Sequence, residues 1–201
     1  MVISNGFEVP DKHRTGRSEY LLCRECELRF SLWETCAANW FYNWEPAQES
    51  LDEKGIIYKD INYPEFRLYC LSLLWRLSVS TLEYFDAVSL SSDDSETIRI
   101  ALLSSDTLDS KFPICFTKLV KPDGEVFPIS MQPYVTGQGS GKCFHLITNG
   151  LVHDFWLSDQ RNNLSLKHCS LRPTGTLVVP IFPFMDFPPV KAQIALANKN
   201  D

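Results

Sequence analysis

From Cys26 onward the large apolar residues recur at Cys26, Phe30, Trp33, Ala37, Trp40, Phe41 and Trp44, in steps of four, three, four, three, one and three. This one-sided pattern predicts an amphipathic helix, with Arg29, Ser31, Glu34, Thr35 and Asn39 on its other face. Each tryptophan on the stripe buries roughly 150–250 Å², so the helix is a packing platform. Before it, Tyr20-Leu21-Leu22 predicts a short strand, and Cys23-Arg24-Glu25-Cys26 a turn leading into the helix.

A second helix is predicted from Tyr63-Pro64, with the proline in the first turn, where its missing N–H costs nothing. Phe66 to Leu77 leaves almost no hydrophilic face, which marks this helix as central. A third begins near Asp93, with Glu96 completing a capping box and Ile98, Ala101 and Leu102 on one face. From Lys111 the pattern changes to strands over Phe112–Val120 and Val126–Tyr134, joined by a Pro122-Asp123-Gly124 turn. Asn149-Gly150 predicts a two-residue hairpin within Lys142–Leu157. Its register places His145 opposite Asp154 and Leu146 opposite His153. Further strands are predicted over Leu164–Leu171 and Thr176–Phe184, the latter at a sheet edge because of Pro180 and Pro183.

The chain therefore reads as α+β, a helical N-terminal half with three main helices packed on an antiparallel β-rich C-terminal half. The expected division is an arm over 1–19, a helical region over 20–110, a β region over 111–187 and a tail over 188–201. The tail is expected to hold one helical turn around Ile194.

With 201 residues, 44% hydrophobic and 22% charged, the composition is that of a globular domain. The net charge of −6 is uneven: residues 43–109 hold 13 acidic and 5 basic residues, while 142–172 hold 4 basic and 2 acidic. An acidic middle argues against direct nucleic-acid binding. No apolar run approaches the roughly 20 residues of a membrane span. Seven cysteines without a preceding secretory signal read as reduced thiols in a cytoplasmic protein.

The chemistry centres on thiols and histidines. Cys23 and Cys26 have zinc-knuckle spacing, and a helix N-terminus also lowers a thiol's pKa. A structural zinc needs four ligands, and the chain has one such pair. His13 is a third donor if the arm folds back; the alternative is an exposed loop histidine. His145 and Asp154 make a cross-strand acid–base pair or a plain ion pair, with Cys143 on the same strand face. Cys143, His145, His168 and Cys169 form a zinc site only if the last strands lie beside the hairpin. The loop Gly137–Lys142 departs from a phosphate-binding loop, with Thr136 at the first glycine position, Cys143 at the hydroxyl position and a strand following, and reads instead as a flexible hairpin connection.

Leu21-Leu22-Cys23-Arg24-Glu25-Cys26-Glu27, with Phe30 and Glu34, resembles the second half of a treble-clef module in uncharacterised bacterial and phage proteins related to HNH endonucleases. A segment like Leu73-Leu74-Trp75-Arg76-Leu77-Ser78-Val79-Ser80 follows it there too, and the similarity covers roughly residues 17–105. The family's upstream cysteine pair and Ser-His-Ile-Ile-Pro-like segment have no counterpart in this sequence, so no catalytic residue is assigned. The spacing of Cys23 and Cys26 leaves three readings open: zinc completed within one chain, zinc shared across a homodimer, or a thiol pair that holds no metal. The resemblance points to one of two roles. The first is a non-enzymatic protein-binding module, of the kind a phage or mobile element uses to inhibit a host defence or nucleic-acid-processing protein. The second is a metal-dependent HNH-like nuclease or a subunit of one. Trp33, Trp40, Trp75 and Arg76 are the candidates for packing or partner contact.

Overall fold

The computed structural model describes residues 19–42, 49–51, 55–138, 141–157 and 169–191. Among these residues three α-helices, α1 (Arg24–Tyr42), α2 (Tyr63–Val79) and α3 (Ser92–Ser104), accompany seven strands. These are β1 (Glu49–Leu51), β2 (Gly55–Tyr58), β3 (Ile114–Val120), β4 (Met131–Thr136), β5 (Cys143–Thr148), β6 (Leu151–Trp156) and β7 (Leu177–Pro183). They form one mixed sheet in the order β1-β2-β7-β3-β6-β5-β4, and the fold is α+β.

Each helix end has a local cause. Pro64 opens α2, and Ser80 closes it by donating its N–H to the Arg76 carbonyl. At α3 the cap lies two residues earlier than the sequence pattern predicts. Ser91 Oγ accepts the Asp94 N–H and donates to the Asp94 carboxylate, a reciprocal box that Asp93 and Glu96 do not make. The far end of α3 is held by α1, because Arg29 Nη1 donates to the Leu103 carbonyl at 2.6 Å, placing a cation on unpaired C-terminal carbonyls.

Tyr20 to Leu22 is not a strand. The Glu19 carboxylate accepts from Ser80 Oγ and from the N–H and hydroxyl of Thr81, which ties this segment to the end of α2 rather than to the sheet. β7 is interior rather than at an edge. It runs antiparallel to β2 through its first half and parallel to β3 through its second. Pro180 is the last residue of the first ladder and Pro183 the last of the second, so neither removes a donor from mid-ladder. The sheet is thus mixed rather than wholly antiparallel, and β1 and β2 bring N-terminal residues into it. The predicted strand from Val126 forms only at Met131; Val126 makes an isolated bridge to Val120. Most of the Leu164–Leu171 prediction lies outside the described residues, as does Ile194; residues 188–191 form a helical turn.

Strand alternation divides the core in two. Ile114, Phe116, Phe144, Leu146 and Phe155 pack with Phe30, Trp33, Phe66, Leu71 and Leu74 in the cluster under the helices. Leu119, Ile147 and Val152 point the other way, into a smaller cluster with Phe184 and Val190. The face of β3, β5 and β6 turned away from the helices is where the polar chemistry sits. No described helix is long and apolar enough to cross a membrane.

Candidate functional site

Asn149 and Gly150 both take positive φ, 49° and 78°, as a two-residue hairpin turn requires. The turn fixes the register His145↔Asp154 and Leu146↔His153. Because β4 and β3 flank this hairpin, four residues stand in one row across the sheet: Tyr134, His145, Asp154 and Cys115. One step along, Thr136, Cys143 and Trp156 form a second row on the same face.

The imidazole of His145 is held on three sides. Nδ1 lies 2.7 Å from Asp154 Oδ1, and Nε2 lies 2.7 Å from Thr136 Oγ1. The Tyr134 ring stacks on it, centroids 4.6 Å apart and planes inclined by 15°. A carboxylate accepts only, so Nδ1 carries a proton; in the neutral ring Nε2 then accepts the Thr136 hydroxyl. The side chains of His145 and Asp154 remain 14% and 20% exposed, whereas Cys143 is fully buried. Burial raises the Cys143 thiol pKa, and the Asp154 charge adds to the shift. Cys115 is raised by the same two causes. Trp156 Nε1 is buried with no hydrogen-bond partner among the described residues.

The donor atoms of Cys143, His145 and Asp154 all lie within 4.8 Å of one another, and this group could hold a metal ion. Sequence reasoning anticipated the His145–Asp154 pair and the shared face with Cys143. It missed Thr136 and Cys115. Thr136 and Cys143 flank the Gly137–Lys142 loop, which reads as a hairpin connection, but their pairing needed the β4–β5 register, which the loop alone does not give. Cys115 needed the β3–β6 pairing, which no local pattern encodes. Cys169 does fall near this group, since Ser170 bridges Cys115, but His168 lies outside the described residues.

The knuckle cysteines sit elsewhere. Cys23 precedes α1, its carbonyl accepting the Glu27 N–H, and Cys26 lies within the first turn. The Cys26 N–H and thiol lower the Cys23 thiol pKa, while the neighbouring Cys23 raises that of Cys26. Among the described residues no group of three or more donors includes either thiol, so they supply two of the four ligands zinc requires. His13 lies outside the described residues.

Trp33 is buried and stacked on Phe30, with centroids 4.9 Å apart. Trp40 is half-buried, with rings of Tyr58 and Phe66 about it at 5.3 and 4.8 Å. Trp75 lines a small depression with Cys23 and Cys26. Arg76 Nη1 binds Glu34 at 2.7 Å, and its guanidinium sits 5.9 Å over the Phe30 ring. Beside that pair, α1 and α2 enclose a cleft of about 510 Å³, with Phe30, Leu73 and Leu77 among its apolar walls and Glu27 and Glu34 among its acidic ones.

Compared with protein-family models, curated proteins and solved structures, the chain finds no match.

Proposed function

We propose that this chain is a non-enzymatic protein-binding module that takes a basic, apolar-anchored segment of its partner in the α1–α2 cleft. The observation that carries the reading is the make-up of that cleft. Phe30, Leu73 and Leu77 give it apolar walls, Glu27 is exposed beside them, and Arg76, the one arginine lining it among the described residues, already binds Glu34. The surrounding sequence from 43 to 109 is strongly acidic, which steers basic partners and rejects acidic ones. An amphipathic segment with lysines on one side and leucines on the other suits such a groove. Basic patches of this kind belong to nucleic-acid-processing and defence proteins. A treble-clef relative carried by a phage or mobile element would meet one as an inhibitor or regulator.

For the metal group on the sheet we assign zinc. A thiol, an imidazole and a carboxylate favour it over magnesium or calcium, which take oxygen ligands. All seven cysteines are free thiols, in keeping with a reducing, cytoplasmic setting.

The test of the binding reading uses two amphipathic peptides of equal length, one of leucine and lysine, one of leucine and glutamate. Titration followed by tryptophan fluorescence should show saturable binding of the lysine peptide alone. Glu27→Lys should weaken it severalfold, and Leu73→Asp should abolish it. Glu125→Lys, a reversal outside the cleft, should leave affinity unchanged. Equal binding of both peptides, or equal loss in Glu27→Lys and Glu125→Lys, would overturn the reading.

A further inference from the structure

The His145–Asp154 contact is oriented by more than the pair itself. Thr136 fixes the far nitrogen, Tyr134 fixes the ring plane, and the buried Cys143 stands beside both on the same face of the sheet. Metal-bound histidines have the same surroundings: one nitrogen on the ion, the other donating its N–H to an oxygen nearby. We propose that zinc binds here by taking the place of the proton between His145 Nδ1 and Asp154 Oδ1, with Cys143 Sγ as third ligand and water in the fourth position. The inference rests on the assignment of zinc to this group and adds how the ion is held.

The distances allow it. Tetrahedral zinc with a nitrogen and an oxygen ligand at about 2.0–2.2 Å spaces them about 3.4 Å apart, and sulfur at about 2.3 Å lies about 3.6 Å from the nitrogen. Both spans fall inside the 4.8 Å that encloses the three donors. The 2.7 Å pair need only open by somewhat under ~1 Å, a small rotation of the Asp154 side chain. Exposure of His145 and Asp154 gives the ion an entry path and leaves one side for water, while the buried Cys143 closes the other.

The protons balance. The Cys143 thiol releases its proton to solvent as the thiolate binds. The ring keeps one proton, which moves from Nδ1 to Nε2 and is donated to Thr136 Oγ1. Thr136 changes from donor to acceptor without moving. Thr136 is thus a positioning residue, and the ion ties β5 to β6.

The experiment uses the full chain with Cys23→Ser and Cys26→Ser, so that the knuckle contributes nothing, and cobalt(II) as the spectroscopic probe for zinc. One equivalent of cobalt should give intense tetrahedral d–d absorption and a thiolate charge-transfer band in the near ultraviolet. Cys143→Ser should remove that band. Because Cys143 is buried, the near-isosteric Asp154→Asn, checked for folding by circular dichroism, should lower affinity at least a hundredfold. Thr136→Val should keep the band but weaken zinc binding about 10–100-fold in competition with a chromophoric chelator. Failure to bind cobalt would overturn both the zinc assignment and this inference. A charge-transfer band unchanged by Cys143→Ser would place the ion elsewhere. Zinc bound with full affinity in Thr136→Val would overturn the proton arrangement while leaving the zinc assignment standing.

Discussion

Arg67 Nη1 donates to the carbonyl of Phe112 at 2.8 Å, across 45 residues of chain and out of contact with solvent. The same guanidinium reaches the carbonyls of Thr107 at 3.0 Å and Leu108 at 3.2 Å, and also that of Lys111. It thereby gathers the whole link between α3 and β3 onto α2; burial lowers the guanidinium's pKa, against the opposing effects of Tyr63, Cys70 and Asp109. Arg67→Met should leave these acceptors unpaired and cost at least about 3 kcal/mol, since each buried unsatisfied group costs about 1–3 kcal/mol. Arg67→Lys should not rescue it, because a single ammonium cannot reproduce the guanidinium's planar fork. Urea midpoints read both values, and a loss under about 1 kcal/mol in either variant would contradict this role.

His153 should make the fold sensitive to mild acid. It lies among Phe116, Phe41 and Phe155, donating Nδ1–H to the Leu146 carbonyl at 3.3 Å. Burial pushes its pKa down to about 4, against small opposing effects from the Leu146 carbonyl and the Asp154 charge. The unfolded chain takes up a proton near the ordinary value of 6.5, whereas the folded chain does not until about 4. Stability from this residue is therefore complete above pH 6.5 and is lost as the pH falls toward 4, by about 3 kcal/mol. His153→Phe should flatten the dependence of unfolding free energy on pH across that window. A slope equal to that of the wild type would assign the acid sensitivity to other groups.

The cysteines should separate by reactivity. Cys23 is exposed and its thiol pKa is lowered, first by the Cys26 N–H at the start of α1. Burial pushes Cys36 up to about 11 and Cys70 up to about 12, and raises Cys115 and Cys143 further. Brief iodoacetamide treatment at pH 7.5, read by peptide mass spectrometry, should label Cys23 first. Cys70, Cys115 and Cys143 should stay unlabelled until the protein is unfolded. Labelling of Cys26 ahead of Cys23 would show that the helix-end amide does not govern this pair.

Local patterns carried the helices and the central hairpin, because both are fixed by residues close in sequence. The stripe Phe30, Trp33 and Ala37, the apolar run of α2 and the Asn149-Gly150 turn each act over a few residues, and each is found in the structure. His145 and Asp154 were legible for the same reason. What was not legible depends on strands meeting at a distance. β7 inserts between β2 and β3 by pairing with each over half its length, so its prolines read as edge signals while it lies inside the sheet. The Tyr20–Leu22 segment reads as a strand by hydrophobicity but is held by Glu19 to the end of α2. Cys115 joins the polar row only through β3–β6 pairing, 39 residues from Asp154 in sequence.

Two glycines of nearly equal φ should respond differently to alanine. Gly124, at +84°, has nothing within 4 Å of an added Cβ, so Gly124→Ala should cost only the left-handed backbone penalty, about 1–2 kcal/mol. Gly150, at +78°, would drive a Cβ into the Phe127 carbonyl oxygen and to 2.7 Å from Val126 Cγ1. Backbone there cannot yield easily: Gly150 N–H donates to the Ile129 carbonyl, and the Gly150 carbonyl accepts from Leu119, each at 2.8 Å. Gly150→Ala should therefore cost at least twice as much as Gly124→Ala in thermal or urea unfolding. The same turn sets the register that brings His145 to Asp154, so Gly150→Ala should also weaken cobalt binding while Gly124→Ala leaves it intact. Equal costs for the two variants would mean that the segment around Phe127 gives way freely, and that the hairpin register is held by the β5–β6 ladder rather than by its turn.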